Sequence, residues 1–292
     1  MMSQPKQTIK QISGLQAIAE QYDALLCDVW GVVHNGIAIY EGVAECLQQW
    51  RAQRGPVLLL TNAPRPAQAV QARLDRLGMP PNTYDAILSS GDATYEMLKQ
   101  RAAQGQVCHF AGAMQKDEML LQGIDLQFAP VEQADFVLLT GLMDDRAETP
   151  ADYQQAIDKW RQRGLPVICA NPDRVVELGG QILYCAGAIA EIYEQQGGEV
   201  IWVGKPYPPI YQTALGRLAD LSGLDKPRVL AAGDGYTTDI LGANKAGLDV
   251  IFVTGGLAAS ELGRTPTAQT IAQFLQSHNA HATYFTQSLI WS

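Results

Sequence analysis

The sequence predicts an α/β fold: a doubly wound, mostly parallel sheet with helices on both faces. Three observations predict it. Short apolar runs recur along the chain, at 24–28, 56–62, 86–90, 107–110, 136–139, 167–170, 199–205, 228–234 and 250–256, and continuous runs of this kind mark strands buried on both faces. Helical-period segments separate many of them, as crossovers between parallel strands require. Four of the runs end in a polar side chain, Asp28, Thr61, Lys205 and Asp234. Open α/β sheets place their ligands at such carboxyl ends.

Taken in order, residues 13–22 read as a short helix leading into the first run, Ala24-Leu-Leu-Cys-Asp28. Residues 32–39 read as a small hairpin turning at Asn35-Gly36, a pair suited to a type I′ turn. Val43, Leu47 and Trp50 give the next segment helical spacing. The helix 66–77 stops at Gly78 with Pro80 beyond it. Asp92 reads as the N-cap of the helix after 86–90. A second βα series reaches about residue 200 and adds a strand at 126–128. Within it, Thr149 and Pro150 start an amphipathic helix running to Arg163, as N-cap and first helical residue. A glycine-bearing loop and a helix at 186–195 close the series. The last third alternates again, with helices at 209–221 and 238–246, the latter closed by Gly247.

A chain of 292 residues, 47% hydrophobic and 17% charged, describes a well-cored globular protein of about two domains. The net charge is −9 without a basic run, which excludes a general nucleic-acid binder and a polybasic membrane anchor. No apolar stretch reaches the ~18 residues of a membrane helix, and the first residues lack a signal-peptide core. The five cysteines (Cys27, Cys46, Cys108, Cys169, Cys185) are scattered, with no CxxC pair. They read as reduced core thiols of a cytoplasmic protein.

Four polar strand ends on one sheet edge can converge on a single chemistry. A carboxylate such as Asp28 can accept a phosphoryl group covalently. Asp28, Asp234 and Asp239 would repel one another unless a cation sits between them, and Mg²⁺ suits a few carboxylates together with substrate phosphate. Thr61 and Lys205 offer a hydroxyl donor and a positive charge to phosphate oxygens. Asp239, in the first turn of a helix, can orient Asp234 or a metal-bound water. Each residue also has a plainer reading: Asp28 as a turn residue, Thr61 as a helix cap, Lys205 as a solvated strand end, Asp239 as a first-turn carboxylate. The exposed turn is the plainer reading for His34. Arg65 suits a substrate phosphate or carboxylate as well as the surface, and Asn171-Pro-Asp173 also fits simple turn chemistry.

The ordered set Asp28-Val-Trp, Thr61-Asn62, Lys205-Pro206 and Gly233-Asp234 with Asp239 resembles the four motifs of the haloacid dehalogenase superfamily. Asn171-Pro-Asp173, Gly204-Lys-Pro206 and the long insertion between the second and third motifs resemble its class IIA, NagD-like sugar phosphatases. The resemblance covers nearly the whole chain. It implies a Rossmann-like catalytic core of residues 1–85 plus 201–292 and an α/β type-IIA cap of residues 86–200 that selects substrate. It implies Asp28 as nucleophile, with Thr61 and Lys205 as its catalytic partners. It implies a metal seat of Asp28, Asp234 and the backbone carbonyl of Trp30, with Asp239 behind it. Asn62, Arg65, Asn171 and Asp173 fall to substrate binding, and the loop before Ala186 at Cys185 to specificity. It further implies a homodimer paired through the cap.

One position departs from the pattern. Phosphatases of this superfamily usually carry a second Asp two residues after the nucleophile, to protonate the leaving oxygen. Trp30 stands there, and an indole transfers no proton at neutral pH. The expected activity is Mg²⁺-dependent hydrolysis of a small phosphorylated metabolite, such as a sugar phosphate. A good leaving group, or proton transfer from His34, would then make up for the missing acid. The alternative is a weak or inactive relative that binds phosphometabolites. A phosphorylated receiver module also clusters carboxylates with Thr and Lys, but is much shorter and lacks such an insertion.

Overall fold

The computed structural model describes residues 9–263 and 265–292. The leader reading therefore falls largely on residues 1–8, outside the described ones. Among the described residues no helix is long and apolar enough to cross a membrane. The chain forms two compact units. One comprises the residues up to Leu60, Asp75–Ile87 and Tyr211–Ser292; the other comprises Thr61–Leu74 and Leu88–Ile210.

The first unit is built on a seven-stranded sheet. Its spatial order is Lys10–Gln11, Tyr284–Thr286, Asp249–Val253, Val229–Gly233, Ala24–Asp28, Val57–Thr61 and Ala86–Ser89. The pairings from Lys10–Gln11 through Val57–Thr61 are parallel. Ala24–Asp28, Val57–Thr61 and Val229–Gly233 are buried at every position, as their unbroken apolar sequences dictate. The chain moves outward one way through Val57–Thr61, and later the other way through Asp249–Val253. The adjacent pair Ala24–Asp28 and Val229–Gly233 is thus the topological switch point, where such sheets open a crevice. Register sets Cys27 opposite Ala232 and Asp28 opposite Leu60. Asp28 therefore ends one strand beside Gly233, and Asp234 is the next residue. At the other end of the same two strands, Arg228 donates to Asp23 through Nε at 2.9 Å and Nη2 at 2.7 Å. On the helix Val43–Gln53, Val43, Cys46, Leu47 and Trp50 are buried at the predicted spacing. Truncating such a fully buried Trp or Leu to alanine costs about 2–5 kcal/mol.

The second unit carries a five-stranded parallel sheet, in the order Val200–Trp202, Val167–Cys169, Phe136–Leu139, Val107–Ala111, Gln127–Phe128. Trp160 and Tyr193 meet edge to face in its core. The buried phenol donates to Leu165 O at 2.7 Å, which satisfies the one polar atom of that ring.

Several expectations are corrected. The run before Lys205 does not join the sheet that carries Asp28: Val200–Trp202 pairs with Val167–Cys169 in the second unit. A buried strand signal gives the strand, not the sheet it enters. Residues 13–22 form two short 3₁₀ turns, Leu15–Ala17 and Ala19–Gln21, in place of a helix. The segment 32–39 is not a two-stranded ladder; it holds only isolated bridges, Trp30 with His34 and His34 with Ile39. Of the Asn35-Gly36 pair only Gly36 has a positive φ. Asn35 instead accepts from the Ile37 and Ala38 N–H groups through Oδ1, both at 3.0 Å, an Asx turn. Ser89, not Asp92, caps the helix Ser90–Ala103, and Asp92 closes the capping box from the third position. Thr149 closes a similar box with Asp152, over a first turn that is 3₁₀ before the α-helix Gln154–Arg163. The glycine-bearing loop is an antiparallel hairpin, Val175–Leu178 with Gln181–Tyr184. Its Gly179-Gly180 turn has φ of 59° and 84°, the turn chemistry earlier assigned to Asn35-Gly36.

Candidate active site

Three carboxylates gather at the switch point of the first unit. Asp28, Asp234 and Asp239 are all buried, and each offers an oxygen within 4.8 Å of the others. Asp28 ends its strand and Asp234 follows the neighbouring one. Asp239 lies in a π-turn, Tyr236–Ile240, that leads into the helix Leu241–Lys245, so the predicted helix 238–246 starts irregularly. Backbone donors hold two of the three: Leu257 N–H to Asp234 Oδ2 at 2.7 Å, and Gly235 N–H to Asp239 Oδ2 at 3.1 Å. The approach is tight. A Cβ on Gly31 or on Gly256 would lie 2.1 Å from Asp234 Oδ2, so only glycine lets the backbone pass on either side. Anionic oxygens this close and this buried repel unless a cation joins them. An all-oxygen set with no sulfur or imidazole fits a hard divalent ion such as Mg²⁺ or Ca²⁺.

Trp30, two residues past Asp28, sets its ring edge-on to His34 with centroids 5.0 Å apart. His34 is buried, against the exposed-turn reading. Its Nδ1 accepts from the Gly36 N–H at 2.9 Å, so in the neutral ring the proton sits on Nε2.

In the second unit, Asn62 and Lys205 are joined. Asn62 Oδ1 accepts from the Lys205 N–H at 2.7 Å; Nδ2 donates to Lys205 O at 3.1 Å and to Asp173 Oδ1 at 2.9 Å. Both amide hydrogens are committed and Asn62 is 2% exposed. In this arrangement Asn62 braces the segment that carries Lys205. Lys205 itself is buried, which removes the solvated reading. Gly204, at φ 125°, stands where a Cβ would lie 2.5 Å from Asn62 Oδ1. Thr61 is buried, and its Oγ1 accepts from the Ala63 N–H at 3.2 Å. Asn171 Oδ1 accepts from the Asp173 N–H at 3.1 Å. The Pro172 and Asp173 carbonyls approach Gly187 so closely that a Cβ there would lie within 2.6 Å of both oxygens. Asn171-Pro-Asp173 is thus seated on the helix Ala186–Gln195, whose N-cap is Cys185. Arg65 reaches Asp117 Oδ1 at 3.4 Å. Burial pushes the Asp117 carboxyl above its ordinary range, with the Arg65 charge opposing. Asp117, Gly31, Gly256 and Leu257 were not singled out from sequence. The Gly255-Gly256 pair closing a strand was the available signal for two of them.

All five cysteines are buried. Burial raises the Cys46 and Cys108 thiols to about 12.

Residues 25–125 match the model of the haloacid dehalogenase-like hydrolases, and residues 202–277 match a second, HAD-hydrolase-like model. The chain is 27% identical over 244 residues to an acid sugar phosphatase of Staphylococcus saprophyticus, covering 83% of this chain and 90% of that one. It is similar to the crystal structure of a haloacid dehalogenase-like hydrolase from Brucella suis 1330. That match has 35% identity and a TM-score of 0.84, over 96% of this chain and 100% of the other. It also resembles a glycerol phosphate phosphatase from Mycobacterium tuberculosis solved in complex with calcium. There the identity is 26% and the TM-score 0.59, over 82% of this chain and 68% of that one.

Proposed function

The chain belongs to the haloacid dehalogenase-like hydrolases, and on that premise we propose that it is a Mg²⁺-dependent phosphatase of small sugar phosphates working through an aspartyl phosphate on Asp28. The observation that carries this reading is the meeting of three buried carboxylates at the switch point of a parallel sheet, with Asp28 ending one of the two strands that form it. The acid sugar phosphatase and glycerol phosphate phosphatase relatives point to the substrate class.

In this reading Asp28 attacks phosphorus in line with the bond to the sugar oxygen. The new Asp28–phosphorus bond forms as the phosphorus–sugar oxygen bond breaks, and the sugar leaves with the bonding pair on its oxygen, which takes a proton from water. Water then attacks the same phosphorus, releasing inorganic phosphate and the free carboxylate. Thr61 and Lys205 serve the phosphoryl oxygens with a hydroxyl donor and a positive charge. Asp28, Asp234 and the Trp30 carbonyl would hold the metal, with Asp239 orienting it; once bound, the ion supplies charge neutralisation between the carboxylates and the phosphate. Asn62 holds the backbone of Lys205 in place. Arg65, Asn171 and Asp173 serve substrate binding, the last two from the insertion of residues 86–200 that acts as the substrate-selecting cap.

The test is phosphate release from a panel of sugar phosphates, acyl phosphates and p-nitrophenyl phosphate, with Mg²⁺ and with EDTA. Turnover that requires both Mg²⁺ and Asp28, with Asp28→Asn inactive on every substrate, is the expected result. Undiminished turnover by Asp28→Asn would refute the assigned nucleophile. Silence of the wild-type protein across the panel would refute the activity.

A further inference from the structure

Asp239 owes its place to an irregular turn, and that turn has a clamp outside the carboxylate cluster. The Gly235 carbonyl receives three N–H groups, from Thr238 at 3.3 Å, Asp239 at 2.8 Å and Ile240 at 3.0 Å. The last spans five residues, the bond of a π-turn. Such turns are rare and expose carbonyls that a regular helix would engage, so a neighbouring donor is needed to keep one register over the α-helical alternative. Tyr211 supplies one. It lies in the helix Pro208–Ser222, is 3% exposed, and sets its hydroxyl 3.2 Å from Asp239 O and 3.4 Å from Thr238 O. The nearer acceptor belongs to the residue whose carboxylate joins the cluster.

The ring that carries this hydroxyl is seated just as tightly. Gly242, in the helix that continues the π-turn, faces it: a Cβ there would lie 2.4 Å from both Tyr211 Cε2 and its hydroxyl oxygen. The small residue at 242 and the large one at 211 form one fitted pair. Gly233 and Gly235 also close on Asp239: a Cβ on Gly233 would lie 2.2 Å from Asp239 Cβ, and one on Gly235 2.9 Å from Asp239 Oδ2. Asp239 is therefore held at two points, by glycine backbone packed against its side chain and by a tyrosine hydroxyl on its carbonyl.

We propose that Tyr211 is a positioning residue for the carboxylate cluster, fixing through the Asp239 carbonyl the turn that aims the Asp239 carboxylate. The inference rests on the reading of Asp28, Asp234 and Asp239 as a divalent-cation seat. Tyr211 touches neither substrate nor ion and acts on metal affinity by preorganisation.

The experiment is calorimetric titration of Mg²⁺ and Ca²⁺ into the full-length wild type, Tyr211→Phe, Gly242→Ala and Asp234→Asn, with the melting temperature of each recorded in EDTA. Tyr211→Phe keeps the ring against Gly242 and deletes only the hydroxyl. It should weaken metal binding about ten-fold while its metal-free melting temperature stays within a few degrees of wild type. Its phosphatase rate should recover at saturating Mg²⁺, a shift in metal requirement with the maximal rate kept. Gly242→Ala, which displaces the ring, should move affinity in the same direction. If wild type binds and Asp234→Asn does not, yet Tyr211→Phe binds as tightly as wild type, this inference is overturned and the metal seat stands. No binding by the wild type would overturn the metal seat, and this inference with it.

Discussion

Asn62 holds Lys205 by both of its backbone polar groups, accepting from the N–H at 2.7 Å and donating to the carbonyl at 3.1 Å. A side-chain amide that mimics a strand partner in this way fixes where the following side chain leaves the backbone. Its remaining hydrogen goes to Asp173, so the same group ties the Asn171-Pro-Asp173 turn to the lysine.

Asn62→Ala is expected to lower both stability and activity. Two buried backbone groups of Lys205 lose their partner, at about 1–3 kcal/mol each if left unsatisfied. Asn62→Asp should be worse despite its matching size, because it sets a carboxylate oxygen against Lys205 O and the Asp173 carboxylate. Urea midpoints and kcat/KM on the preferred substrate check this, with a loss of about 10–100-fold in kcat/KM expected from a mispositioned group. Unchanged stability with a raised KM alone would assign Asn62 to substrate binding instead of bracing.

The pair Asp23 and Arg228 makes stability depend on acid pH. Hydrogen bonds from Arg228 hold the Asp23 carboxyl down at about 2, below its ordinary value near 4. A depressed folded-state value means the unfolded chain takes up the proton first. The contribution is therefore complete above about pH 4 and is lost as pH falls toward 2. It is modest, as for an ion pair in contact with solvent. In urea melts, Asp23→Asn should sit below wild type at pH 6, and the gap should close by pH 2. A gap of constant size would assign the effect to packing.

Much of this architecture was legible in the sequence because parallel strands must be apolar throughout and their ends polar. Asp28, Thr61 and Asp234 each stood where such a run stopped. Lys205 showed the limit of that signal, since its run pairs in the second unit's sheet. The helix Ala268–Ser277 carries a clear helical signal, with Ile271 and Leu275 buried four apart behind an N-cap at Thr267, and is an omission of the sequence reading, whereas the strand Tyr284–Thr286 is only three residues long. Strand Lys10–Gln11 is two residues long, too short for alternation to register. Gly179-Gly180 carried the hairpin signal, but the strand Val175–Leu178 is half-buried at every position, which blurs the period. The contacts of Asn62, Tyr211 and Gly31 depend on neighbours brought in from distant segments. No local pattern encodes them.

Divalent metal should stabilise the folded chain. Binding to the native state alone raises stability by about 2.7 kcal/mol at a ligand concentration a hundred times Kd, and relief of repulsion among three buried carboxylates acts in the same direction. Differential scanning fluorimetry in a Mg²⁺ or Ca²⁺ series should show a rising melting temperature that Asp234→Asn abolishes. Asp234→Asn should also melt higher than wild type in EDTA, since it removes one of three crowded charges. Parallel metal responses in both proteins would place the ion elsewhere.

Trp30 sets the last prediction. Under the phosphatase reading, no carboxylic acid stands two residues after Asp28 to protonate the departing oxygen. The enzyme should therefore favour leaving groups that need no proton, such as acyl phosphates and p-nitrophenyl phosphate, over alkyl esters. Trp30→Asp restores a carboxyl at that position, and positioned general acids contribute about 10²–10⁴-fold. It should raise kcat/KM for sugar phosphates by about ten-fold or more, with little gain on p-nitrophenyl phosphate. Trp30→Asn is the control. It loses the same ring contact with His34, 5.0 Å between centroids, and so the same stability, but gains no proton donor. Equal kinetics for the Asp and Asn variants on both substrate types would show that Trp30 is a packing residue and that the proton comes from another group.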